Sequence, residues 1–122
     1  MFNIDCEYAS ECTKDQYFSP FAKSSKTLDI SFVIPCMNED QTLHELVEGI
    51  YKHVPKGKIF EIILIDDGST DDTWNVIQAL ADLYQGEVIG TRFRSNRGKA
   101  AGLQAGFDTC RGGIVFTMDA DL

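Results

Sequence analysis

No stretch of the sequence approaches the about 20 consecutive apolar residues that a membrane-crossing helix needs. The opening MFNIDCEYAS also lacks the basic start and apolar core of an export signal. Both absences favour a cytoplasmic chain. Basic residues are scarce: 11 Lys and Arg stand against 19 Asp and Glu, for a formal charge of −8. Such a chain repels nucleic acid and anionic lipid at long range, which excludes broad binding to either. Cys6, Cys12, Cys36 and Cys110 show no CxxC or Cys/His ligand spacing, so neither a disulfide scaffold nor a zinc site is expected. Internal repeats and low-complexity tracts are missing too. What remains is a globular composition of 122 residues, enough for one domain that buries roughly two-thirds of its unfolded surface.

Residues 1–27 have no clean period, mix aromatics with charges and finish in the linker-like KSSKT, as an appendage would. From Leu28 onward, apolar runs alternate with stretches of helical period, the pattern of βα units around a parallel sheet. ISFVI reads as a first strand stopped by Pro35, and IFEIILI as a second whose unbroken apolar core needs cover on both faces. EVIGTRF and GIVFTM read as the third and fourth strands. Between them, Leu43, Leu46, Val47, Ile50, Tyr51 and Val54 form the stripe of a helix ending before Pro55. A second helix follows DDGST, capped by Ser69 or Thr70, with Trp74, Ile77, Leu80, Ala81 and Tyr84 inward. SNRGKAAGLQAGF gives a third, whose small residues allow close approach. The expected fold is α/β: an open parallel sheet of about four strands in order 3-2-1-4, with helices on both faces. That order sets the carboxyl end of the first strand between those of the second and fourth, so three loops meet at one crevice.

PCMNED, DDGSTDD and DADL point into that crevice, with Asp67 and Asp119 on opposite sides of Pro35. Asp119 and Asp121, two apart at a strand end, repel each other; they can hold a hard cation such as Mg²⁺ or Mn²⁺, or simply cap a turn. Asp66-Asp67-Gly68-Ser69 can accept hydrogen bonds from a base or ribose, or serve as ordinary strand-to-helix punctuation. Arg92, Arg94, Arg97 and Lys99 crowd before a helix start, forming either an anion site or a solvated basic face. The preceding GxxxxG of a Walker loop is missing, as is the D-x-D-x-D-G of an EF-hand. His44 and His53 lie too far apart on one helix for ligand spacing.

Taken together, SFVIPCMNED, EIILIDDGSTDDT, RFRSNRGKAAGLQAGF and GGIVFTMDADL resemble the family 2 glycosyltransferases of the GT-A fold, nearest to the dolichol-phosphate mannose synthase-like branch that transfers sugars to polyprenyl phosphates. The resemblance covers residues 29–122. It implies a Rossmann-like nucleotide-sugar-binding half over residues 28–122 and an inverting transferase acting on a nucleotide-diphosphate sugar, with a lipid-phosphate acceptor at the cytoplasmic face of a membrane. Position by position, Pro35, Met37 and Glu39 match the nucleotide-contacting segment, and Asp67 matches the residue that reads the base. Asp119 and Asp121 match the metal-binding DxD for Mg²⁺ or Mn²⁺, and Lys99 matches a region near the donor phosphates. The family often has an aromatic where this chain has Met37, which replaces base stacking by sulfur contact.

Family members continue past the DxD into an acceptor-binding half, so the resemblance implies a chain truncated after that motif, with no catalytic base in these residues. Donor binding with little or no transfer is then expected, as is homo-oligomerisation through the open edge of the fourth strand. Two rivals share parts of the pattern. A haloacid-dehalogenase-type phosphatase also carries DxD at a strand end, but on its first strand, and a receiver domain carries its acidic pair on the first strand rather than the second. A non-catalytic nucleotide-binding fragment would share the fold and differ only in turnover.

Overall fold

The computed structural model describes residues 16–17 and 28–121. Its elements are β1 (Gln16–Tyr17), β2 (Leu28–Cys36), α1 (Leu43–His53), β3 (Phe60–Asp66), α2 (Thr73–Leu83), β4 (Val88–Arg92), α3 (Lys99–Thr109) and β5 (Gly112–Thr117). They build one sheet in the order β1-β4-β3-β2-β5. Strands β4, β3, β2 and β5 are mutually parallel, which is the expected 3-2-1-4 arrangement. The fifth strand was not foreseen: Gln16 and Tyr17 pair antiparallel with Thr91 and Gly90 and cap the β4 edge. The rest of the expected appendage, Cys6 and Cys12 included, lies outside the described residues.

Strand burial follows position in the sheet. Every residue of β3 is buried, as an apolar run flanked by strands and covered by helices on both faces requires. On one face, Ile34, Ile62, Leu64 and Val88 pack with Leu43, Val47 and Ile50 of α1 and Ile77, Leu80 and Ala81 of α2. On the other, Val33, Ile63, Ile65, Ile89 and Phe93 pack with Ala105 of α3. The small residues of α3 are there for contact: a Cβ on Gly106 would fall 2.2 Å from Val33 Cγ1, and one on Gly102 would fall 3.2 Å from Pro35 Cβ. β5 is the far edge, and its Ile114, Val115 and Phe116 are exposed. No helix among the described residues is long and apolar enough to cross a membrane.

Pro35 does not stop its strand. It sits inside β2, in register with Ile65. The carbonyl of Cys36 accepts the Asp67 amide on the β3 side, and that of Val33 accepts the Met118 amide on the β5 side. Alternation therefore turns Pro35 toward β5, beyond the last pair of that ladder, Val33 and Thr117. A missing N–H there costs no ladder bond.

At the amino end of the sheet, a buried polar cluster replaces apolar packing. Glu61, fully buried in the central strand, accepts the Ser31 hydroxyl at 2.6 Å and the Arg111 amide at 2.7 Å. The Arg111 guanidinium adds a contact at 3.3 Å, and Gly112 donates to Ser31 Oγ at 2.8 Å. An unpaired buried carboxylate would be costly, so these donors are a condition of Glu61 being there.

Candidate functional site

The carboxyl ends of β2, β3 and β5 carry the polar segments singled out in the sequence. Past Pro35 and Cys36, the chain turns at Asn38, which holds a left-handed φ of 55°, a conformation that Asn tolerates better than most residues. This turn ties the first two tips together. Asn38 Oδ1 accepts the amides of Thr70 at 2.9 Å and Asp71 at 3.3 Å, and its own amide donates to Ser69 Oγ at 2.9 Å. The amide of Glu39 donates to Thr73 Oγ1 at 2.9 Å.

Those bonds correct the expected helix cap. Ser69 and Thr70 do not cap α2, which starts at Thr73 after Asp72. They lie in the turn before it and bond Asn38 instead, Ser69 Oγ accepting its amide and Thr70 donating to its Oδ1. Asp66 and Asp67, adjacent in sequence, differ in role. Asp66 is buried and accepts the Ser69 amide at 3.0 Å; burial raises its pKa although Ser69 and Arg92 oppose the shift. Asp67 turns the other way. Its Oδ1 accepts the Arg97 amide at 2.6 Å and its Oδ2 the Gly98 amide at 3.0 Å, which fixes the loop leading into α3. Gly68, at φ 75°, lets that loop lie against it, since a Cβ would come within 2.6 Å of the Asn96 backbone nitrogen.

The third tip follows β5. Ala120 is buried, with Asp119 and Asp121 exposed on either side. Thr42 holds this tip to the first: its hydroxyl lies 3.0 Å from the Ala120 carbonyl and 3.3 Å from Glu39 Oε1. Lys99 Nζ lies 2.5 Å from Asp119 Oδ1, and that carboxylate raises the lysine pKa.

The tips enclose a cleft of about 410 Å³, lined by all seven residues named from the sequence: Pro35, Met37, Glu39, Asp67, Lys99, Asp119 and Asp121. Asn96 also lines it, and its amide nitrogen lies 3.5 Å from Met37 Sδ. Of the basic cluster only Lys99 lines the cleft, while Arg92 lies over the Trp74 ring at 5.4 Å. The histidines stand elsewhere, His44 beside Glu48 and His53 against the Gly49 carbonyl. A larger concavity, of about 910 Å³ and mostly apolar, runs between α1 and β5, away from these residues.

The donor set suits a hard divalent ion. Asp119 and Asp121 offer carboxylate oxygens, and the Lys99 ammonium already stands in for a cation at one of them. No group of three or more His, Cys, Asp or Glu side chains poised to hold a metal exists among the described residues, so an ion here would complete its shell with water or substrate oxygens.

Sequence reasoning missed Asn38 and Thr42. Neither lines the cleft, and both act by joining tips. A short amide side chain at a sharp turn after a strand was the available signal for Asn38; nothing marked Thr42 apart from its place before α1.

The family model for glycosyl transferase family 2 matches residues 31–122. The chain belongs to this family. Among curated relatives, an undecaprenyl-phosphate 4-deoxy-4-formamido-L-arabinose transferase of Pseudomonas fluorescens is 43% identical over 94 residues, covering 76% of this chain and 28% of its own length. The chain thus spans under a third of that relative. Among solved structures, the mannosyltransferase PcManGT from Pyrobaculum calidifontis, in complex with GDP-Man and Mn²⁺, superimposes with a TM-score of 0.69 at 22% identity, covering 94% of this chain and 34% of that one. Glucosyl-3-phosphoglycerate synthase from Mycobacterium tuberculosis, in complex with Mn²⁺, UDP and glucosyl-3-phosphoglycerate, gives 0.58 at 27% identity over 78% and 34%. The fold of this family 2 chain is therefore that of its glycosyltransferase neighbours, and divalent metal is used within that group. The phosphatase alternative finds no support.

Proposed function

We propose that residues 28–122 bind the nucleoside diphosphate of a sugar donor, as the donor-binding half of an inverting enzyme that transfers the sugar to a polyprenyl phosphate, with little or no transfer by these residues alone. The observation that carries this reading is the convergence of the three strand ends on one cleft with a carboxylate pair on one wall. The names of the curated relatives, which act on undecaprenyl phosphate, support the acceptor class. A lipid acceptor would bring the protein to the cytoplasmic face of a membrane. The β5 edge, unpaired among the described residues, is where a second copy would add.

In this reading Pro35, Met37 and Glu39 meet the nucleoside, with the Met37 thioether against the base. Asp67 spends one lone pair of each oxygen on a backbone amide and keeps the others for base or ribose donors. Asp119 and Asp121 would hold Mg²⁺ or Mn²⁺, which supplies charge neutralisation at the departing diphosphate. Lys99 presents an ammonium on the same side, at the start of α3.

Titration of the 122-residue chain with UDP and with GDP, each with and without Mn²⁺, tests this. Metal-dependent binding of at least one, lost in Asp119→Asn, is expected. Absence of binding to both in the presence of Mn²⁺ would overturn it.

A further inference from the structure

Lys99 and Asp119 form an ion pair at the mouth of the cleft, and both side chains are largely exposed, at 62% and 64%. Among the residues lining the cleft, Lys99 is the only cation, set against Glu39, Asp67, Asp119 and Asp121. Its backbone is held in place. Gly98, immediately before it, donates its amide to the buried Asp67 carboxylate, and Lys99 itself is the first residue of α3. The four-carbon stem is not held: it carries a compact point charge on rotatable bonds, which can leave one oxygen for another without moving the helix.

The ammonium occupies one of the carboxylate oxygens to which a divalent ion would bind. A divalent ion bound to the same carboxylate would stand close to the ammonium, and the repulsion between the two cations weakens the hold of each on Asp119. We infer that Lys99 is an internal counter-ion that competes with a divalent cation for Asp119, and that the ammonium, displaced by the metal, swings to the diphosphate entering the cleft. This rests on the donor-binding reading above. Lys99 thereby opposes metal binding when the cleft holds no nucleotide and favours nucleotide binding once metal is present. The two ligands are coupled through one side chain, and linkage makes the coupling reciprocal.

The test compares wild type with Lys99→Gln, measuring free Mn²⁺ by electron paramagnetic resonance, first without nucleotide and then with UDP or GDP. An exposed pair of this kind supports an effect of about 2- to 5-fold. The variant should bind Mn²⁺ alone that much more tightly, and should bind nucleotide more weakly than wild type at saturating Mn²⁺. Mn²⁺ affinity equal to or weaker than wild type, without nucleotide, would overturn the inference. Wild type that takes up Mn²⁺ and nucleotide while the variant behaves identically would sink only this inference; wild type that binds no nucleotide would sink the donor-binding reading. A second measurement needs no variant. Titrating wild type with diamagnetic Mg²⁺ should move the Lys99 side-chain nuclear magnetic resonance signals toward those of a free lysine, and signals that stay fixed while Mg²⁺ binds would again refute displacement.

Discussion

The carboxylate of Asp67 accepts the backbone amide of Gly98 at 3.0 Å, joining the end of β3 to the start of α3 across 31 positions of sequence. With the 2.6 Å bond from Arg97, it makes a nearly buried side chain the anchor of the loop that presents Lys99. Replacing Asp67 by Ala should cost about 1–3 kcal/mol, since two part-buried backbone donors lose a charged acceptor. Hydrogen exchange at the Arg97 and Gly98 amides should accelerate by about tenfold or more as the loop opens locally. Unchanged exchange at both amides would show that the loop is held by something else.

At the opposite end of the sheet, Arg111→Ala should destabilise the fold by about 3–5 kcal/mol, because it strips the guanidinium from a fully buried Glu61. Replacing both residues by Met should cost less than the single change, since no charge is then left in the core. Urea unfolding of the three proteins decides this; a double variant worse than Arg111→Ala would contradict it.

Two glycines in helices should respond oppositely to Ala. At Gly106 the new methyl would fall 2.2 Å from Val33, so overpacking of about 1–3 kcal/mol is expected. At Gly49 of α1 nothing lies within 4 Å of the added Cβ, and the better helix former should gain about 0.5–1 kcal/mol. Thermal melts of the pair, shifted in the same direction, would argue against this account of α3 packing.

Strand β5 presents Ile114, Val115 and Phe116 along an edge with no further strand among the described residues. Such edges template pairing with another chain. Sedimentation velocity should show association that grows with concentration, and Val115→Lys should suppress it. A single monomeric boundary across the concentration range would remove the edge as a contact surface.

Pattern was enough to place the three helices and four parallel strands, because a short, largely β-branched apolar run such as IIL bounded by turn residues favours a strand buried on both faces, and a stripe like Leu43, Val47, Ile50 a helix. It missed the pairing of Gln16 and Tyr17 with β4, since two residues carry no period. Pro35 misled because its lack of a donor matters only on a side where a ladder continues, and neighbouring strand length is not written in local sequence. In the cleft, the charged residues were legible from their clustering at strand ends. Asn38 and Thr42 were not, because their partners lie 32 and 78 positions away and only folding brings them close.

Asn38 and Thr42 join the three tips without bordering the cavity, so this part of the framework is separable from the lining. If the proposed donor binding holds, exchanging Met37 and Asn96 for other side chains changes the cleft wall while the joints stay intact. A designer seeking altered donor preference would begin with those two and leave the joints alone.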